Sequence, residues 1–151
     1  MRPIPNKYLQ YTFTLYNRHK DAETGKFALL RTVLRKTLLE TARSRLVVGT
    51  DLGATSAYAS VLWIDARASV ASDGQGKVKT FLDPFTWKSA TEKGRLWTLQ
   101  EGDYLVEGVC MLEIPPANES DLTALPHFKI ASINPVRDVN ATVHHWECEL
   151  V

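Results

Sequence analysis

The stretch Leu96-Trp97-Thr98-Leu99-Gln100-Glu101-Gly102-Asp103-Tyr104-Leu105-Val106-Glu107-Gly108 constrains this chain more than any other. Strand-forming residues lead into a tight Glu-Gly-Asp turn, alternation resumes, and a glycine stops it. Two more strand-like pieces follow, His127-Phe128-Lys129-Ile130-Ala131-Ser132-Ile133 and Val143-His144-His145-Trp146-Glu147-Cys148-Glu149-Leu150. No catalytic apparatus lies between them. The chain therefore reads first as a small β protein.

A chain of 151 residues is most simply one domain, residues 1–151. It can bury roughly two-thirds of its unfolded surface, enough for one core without staples. With 44% hydrophobic and 23% charged residues it has the composition of an ordinary globular protein. The net charge of +1 argues against binding nucleic acid or an anionic membrane by bulk charge. Arg31, Arg35, Lys36, Arg43 and Arg45 crowd one segment, and a solvated face is the plainer account of them. Cys110 and Cys148 form no Cys-x-x-Cys pattern and are expected as free thiols in a cytoplasmic product. The opening Met1-Arg2-Pro3-Ile4-Pro5-Asn6-Lys7 carries no apolar run of a signal peptide. No stretch reaches the ~18 apolar residues of a membrane span, so no membrane partner is expected.

Tyr11-Thr12-Phe13-Thr14-Leu15-Tyr16 predicts a strand with Tyr11, Phe13 and Leu15 on one face. Residues 17–26 are polar, with Gly25 near the end, and predict a hairpin loop. Residues 27–48 admit two readings. Leu30, Leu34 and Leu38 recur every four residues, as on an amphipathic helix, whereas Val33, Arg35, Thr37, Leu39 and Thr41 alternate as in a strand. Residues 57–65 predict an apolar strand, residues 67–77 a mobile polar loop tip, and residues 78–82 a resumed strand broken at Asp83-Pro84. Residues 85–93 suit one short helical turn. Residues 113–126, with Pro115, Pro116 and Pro126, are a long loop of the kind that is usually functional or disordered. About seven strands between turn signals predict a small barrel or sandwich with long loops and at most one short helix.

No motif assigns catalytic, cofactor-binding or metal-binding residues. Val48-Gly49-Thr50-Asp51-Leu52-Gly53-Ala54-Thr55 looks like the first phosphate loop of actin-like ATPases, but those need two lobes and a second such loop. His144 and His145 point to opposite faces of a strand, and His144 and Cys148 lie some 13 Å apart along one, so neither pair makes a ready metal site. His127 adds no convergence. Glu147 and Glu149 share a face and read as a solvated edge. Trp63, Trp87, Trp97 and Trp146 are anchors for a core or for a subunit interface. The expectation is a non-enzymatic protein without cofactor.

Thr14-Leu15-Tyr16-Asn17, Arg31-Thr32-Val33-Leu34, Phe81-Leu82-Asp83-Pro84, Trp97 to Asp103 with Val106 and Gly108, Phe128-Lys129-Ile130 with Ser132-Ile133, and His145-Trp146-Glu147 together resemble a family of small minor capsid or head–tail proteins of tailed phages. The match covers most of the chain. The family's second strand favours strand over helix near Arg31. The order of strands from Trp97 onward also looks like head-closure proteins, small β-barrels that form a ring beneath the portal. The departures are Cys148-Glu149-Leu150-Val151 at the end, Asn134-Pro135-Val136 before Arg137, and the enlarged loop over residues 67–77. The resemblance implies a virion structural protein of the phage neck, made in the host cytoplasm. Its implied partners are further copies in a ring, portal or adaptor proteins above, and the tail terminator or tube below. The loops over residues 67–77 and 113–126 would reach those neighbours or packaged DNA. The competing expectations are a tail terminator, which would carry a helix over residues 27–48, and an oligonucleotide-binding barrel with exposed aromatics in a basic groove.

Overall fold

The computed structural model describes residues 4–40, 60–65 and 70–151. Among these the chain is mainly β. Strands β1 (Tyr11–Lys20) and β2 (Phe27–Glu40) form an antiparallel hairpin in register from Lys20↔Phe27 to Phe13↔Leu34. Its turn is the one expected from the sequence. Gly25 adopts φ +68°, and the Asp21 carboxylate accepts the Glu23 N–H at 2.7 Å.

The remaining elements are β3 (Ser60–Ile64), β4 (Val70–Ser72), β5 (Thr80–Phe81), helix α1 (Pro84–Trp87), β6 (Leu96–Trp97), β7 (Tyr104–Glu107), helix α2 (Glu119–Thr123), β8 (Phe128–Arg137) and β9 (Val143–Leu150). The main sheet runs β1-β7-β8-β9-β3-β2 and closes through β1–β2 into a six-stranded antiparallel barrel, with β4 added on β2. Strand β2 makes this closure possible. One of its edges pairs with β1, while the other meets β4 at residues 33–35 and β3 at residues 38–40. Between Tyr11↔Thr37 and Phe13↔Leu34 it holds an extra residue, and Lys36 there has φ +61°. Such a bulge bends a strand and increases its twist.

The interior follows from alternation. Phe13 and Leu15 of β1, Leu34 of β2, Leu62 and Ile64 of β3, Leu105 of β7 and Cys148 and Leu150 of β9 are almost fully buried in one cluster. Phe81, Trp97 and Trp146 fill one end, with ring centroids 4.8 and 6.0 Å apart for Phe81–Trp97 and Phe81–Trp146. Trp97 reaches that place through a pairing the sequence did not indicate. Strand β6 does not fold back on β7 but lies parallel to β5, with Phe81↔Trp97 in register. Gly102, at φ +88°, turns the chain into the wall, where its N–H donates to the Ile130 carbonyl at 2.8 Å.

Several expectations need correction. The loop over residues 67–77 is not simply a mobile tip, because Val70–Ser72 is strand β4 and residues 73–77 close a tight turn, Asp73 N–H to Lys77 O at 2.9 Å. Gly74 suits that turn because its φ of +88° is a backbone conformation that L side chains rarely adopt. Strand β9 is no edge, for β3 and β8 flank it on either side. Helix α2 adds a second short helix inside the proline-bearing loop, beside the expected turn at α1. Residues 27–40 are strand; residues 41–48 and the Val48–Thr55 phosphate-loop look-alike lie outside the described residues.

A buried polar network secures the turn before β7. Asn17 donates to Asp103 Oδ2 at 2.6 Å and to the Thr98 carbonyl at 2.8 Å, and the Arg18 N–H donates to Asp103 Oδ1 at 2.9 Å. Burial pushes the Asp103 carboxyl up to about 7, against the opposing pull of these hydrogen bonds and of Gln100. A folded value above the unfolded one means that the native state holds the proton more tightly, so this group's contribution to stability falls as pH rises from about 4 to about 7. Asp73 and Asp83 shift downward and act below that window. Asp103→Asn should remove the decline and cost roughly 1–3 kcal/mol at low pH, because an amide supplies one acceptor where the donors need more. Urea titrations of both proteins from pH 4 to 8 check this; parallel pH profiles would refute it.

Candidate functional site

Two surfaces are built on this barrel. The first is a strap, residues 109–126, laid over the outer wall of β1, β2 and β7. It starts at Gly108, whose N–H donates to Thr12 O at 2.8 Å. Thr14 Oγ1 donates to Gly108 O and accepts from Cys110 N–H, both at 2.8 Å. The Tyr16 hydroxyl donates to Leu112 O at 2.7 Å, and burial raises its pKa well above the ordinary phenol value. Ile114 bridges to Leu29, and the Tyr104 hydroxyl bonds Glu119, which also faces Arg18 Nε at 3.5 Å. Tyr16, Leu29, Tyr104, Ile114 and Leu122 make a second hydrophobic cluster beneath it. The strap is therefore anchored to the wall at Cys110, Leu112, Ile114, Glu119 and Leu122, while most of its other residues stay exposed.

The second surface is a groove of about 750 Å³ at one end of the barrel. Strand β7 pairs with β8 only at Phe128 and Lys129, extended by the Ile130 hydrogen bonds to Gly102 and Asp103. Beyond that point β8 has β9 on one edge, and among the described residues no strand on the other. Pro135 suits such an edge because it has no N–H to donate. Leu99, Ile133, Val143 and Trp146 form the apolar floor, and Lys88 and Arg137 are balanced by Asp83 and Glu101 around it. Helix α1 stands at the rim. Asp83 caps it by accepting from the Phe85 and Thr86 N–H groups at 3.0 and 3.1 Å, and the hydrogen bonds to Thr86 hold its carboxyl below the ordinary range. Pro84 occupies the first turn, where a missing N–H costs nothing. Trp87 is buried beneath, so Phe85 is held outward, 87% exposed. The β8–β9 arm ends in Val139, 97% exposed.

The residues singled out from sequence distribute as follows. Trp87, Trp97 and Trp146 pack inside, while Trp63 lies half-buried on the outer wall, stacked on His145 at 4.7 Å. His144 and His145 leave opposite faces of β9, yet their Nδ1 atoms meet at 2.7 Å, so one ring donates to the other. His127 is elsewhere, donating from Nδ1 to Leu125 O at 2.8 Å. Among the described residues no three His, Cys, Asp or Glu side chains are grouped to hold a metal ion. Cys110 and Cys148 are free thiols, and burial pushes Cys148 up to about 12. Among the described residues no helix is long and apolar enough to cross a membrane. Sequence reading missed the exposure of Phe85; the Asp-Pro helix start was its one local signal.

The described residues define a class: a closed six-stranded antiparallel β-barrel with one added strand, a parallel β5–β6 pair and two short α-helices. Within that class the chain belongs to the family of unknown function DUF6751, whose sequence profile matches residues 8–149. Comparison with curated proteins and with solved structures finds no match.

Leu122 is the strap's most buried side chain. Leu122→Asp should cost about 2–4 kcal/mol and free the strap while the barrel stays folded. Limited proteolysis should then cut within residues 109–126, with the β signal in circular dichroism retained. Loss of the whole fold would show that strap and barrel are one cooperative unit.

Proposed function

We propose that the protein is a structural subunit of the neck of a tailed-phage virion. In this reading it is a head-closure or head–tail connector subunit that assembles as a ring beneath the portal and docks the tail. The observation that carries this reading is the open apolar groove beside the outward-held Phe85, at the barrel end from which the β8–β9 arm projects. A ring needs two different surfaces on each copy, because its contacts are heterologous. The groove supplies one, and the exposed apolar tips supply the other for a neighbouring copy. The resemblance of Trp97 to Asp103, Phe128 to Ile133 and His145 to Glu147 to phage head–tail proteins supports the same reading. Work of this kind is done by shape, without chemistry or cofactor. Contact with neighbours or packaged DNA would fall to the turn over residues 73–77 and to the exposed side of residues 113–126.

The rival readings lose support. A tail terminator would carry a helix over residues 27–48; residues 27–40 are strand β2, and residues 41–48 lie outside the described residues. An oligonucleotide-binding barrel calls for a basic groove, whereas Lys88 and Arg137 here share the groove with Asp83 and Glu101.

Electron microscopy of particles from a phage with this gene disrupted tests the proposal. Normal free tails beside heads emptied of DNA are the expected outcome. Intact heads beside abnormally long tails would favour a terminator, and normal infectious virions would sink the neck reading. Complementation with Phe85→Asp should lower infectious yield roughly tenfold or more, the scale of a lost contact hot spot, without changing the fold.

A further inference from the structure

A cavity of about 400 Å³ opens between β2, the turn after β4 and the start of the strap. Its position is set by backbone. Lys79 N–H donates to Ala71 O at 3.0 Å, and Ile114 bridges to Leu29. Two cations face this space. Lys79 is 5% exposed and its ammonium donates to the Arg31 carbonyl at 2.8 Å. That carbonyl is its one acceptor among the described residues, which leaves two of three N–H donors for something else. The Arg31 side chain, 9% exposed, donates from Nε to Asp73 O at 2.9 Å and from Nη1 to Met111 O at 2.7 Å.

The carboxylates nearby do not satisfy these cations. Asp73 Oδ1 is occupied by the Gln75 and Lys77 N–H groups at 2.7 and 3.1 Å. Glu113 stands 3.8 Å from Arg31 Nη2 with its side chain 80% exposed, so it can swing out. With Glu113 turned to solvent, the two cations and Asp73 leave a single positive charge. One monoanion balances that charge, and a dianion exceeds it. Gln75 and Gly94 complete the lining, and Leu29, Ile114 and Pro115 form its apolar side.

We propose that this cavity binds a small monocarboxylate with a short apolar stem, its head on Lys79 and Arg31 in the place Glu113 now borders and its stem along Leu29 and Ile114. The site is independent of the neck reading and stands or falls without it. Burial of the head removes the ammonium's two open donors from competition, and the stem supplies the apolar contact that bare acetate lacks.

The test is a two-dimensional amide NMR titration of the full chain at constant ionic strength, with butyrate, 1-butanol and inorganic phosphate as probes. Butyrate should shift Arg31, Asp73, Lys79, Glu113 and Ile114 in a saturable manner, while butanol and phosphate leave them in place. Glu113→Gln should lower the butyrate half-saturation roughly two- to fivefold, the scale of one exposed ion pair. Lys79→Met should abolish the shifts with the remaining spectrum intact. No saturable shift with butyrate, or an equal response to butanol, would overturn the proposal and leave Lys79 as a strut. The wild-type titration decides this even where Lys79→Met fails to fold.

Discussion

Everything in this barrel depends on β2 staying paired through its bend. A fourteen-residue strand is long for a small domain, and this one serves as a common wall for β1, β3 and β4. Up to Leu34 it is the second arm of a hairpin; past the extra residue at Lys36 it turns and offers its other edge to β3. The Thr37 hydroxyl donates to Tyr11 O at 2.9 Å just beyond the bend, so the bulge is bridged by a side chain as well as by the ladder. Without that bend β3 and β9 would join β1 only around the far side, through β8 and β7. A sheet opened there would expose two edges with apolar faces, which is the condition that closure removes.

The same strand explains why two separate apolar clusters exist. Leu34 faces the barrel interior, whereas Leu29 and Val33, at 5% and 1% exposed, face outward. An outward apolar row needs cover. The strap provides it at Leu29 through Ile114, and the turn at Gly74 with Met111 provides it at Val33. The outer layer is thus part of the fold's stability and not decoration on a finished barrel. It also explains Tyr16 and Tyr104, whose rings pack under the strap while their hydroxyls bond to it.

How much of this was legible in the sequence follows from the same geometry. The β1–β2 turn, β7 and β9 could be read because alternation and turn residues agree there. Residues 27–40 could not be read cleanly, because a four-residue interval is both one helical turn and two strand repeats. Leu30 and Leu34 on one face, with Leu29 and Val33 on the other, fit either account until the cover for each face is known. The parallel β5–β6 pairing joins Thr80 to Leu96 across a segment with its own helix, and no local pattern encodes it. The burial of Asp103 was also hidden. A Gly-Asp turn normally leaves its carboxylate in water bonding local backbone, and here the carboxylate accepts from Asn17 and Arg18 of a distant strand. The groove beside Phe85 arises where β7 stops pairing with β8, a tertiary fact that leaves only Pro135 as a trace.

Arg31 shows how the layers are fastened. It was read from sequence as one of a cluster of basic residues on a solvated face, yet its side chain is nearly buried. Its guanidinium gives one hydrogen bond to the β4 turn at Asp73 O and another to the strap at Met111 O, while its own carbonyl receives Lys79. A rigid fork of donors suits that task better than a flexible ammonium, because both acceptors are main-chain carbonyls fixed in direction. The charge left over is what gives the cavity beside it a sign. An interior salt bridge would have cancelled that charge. Carbonyl partners take the Arg31 Nε and Nη1 donors and keep it, and the exposed Glu113 at 3.8 Å offsets it only in part, so the chemistry of the pocket follows from the way the outer layer is tied to β2.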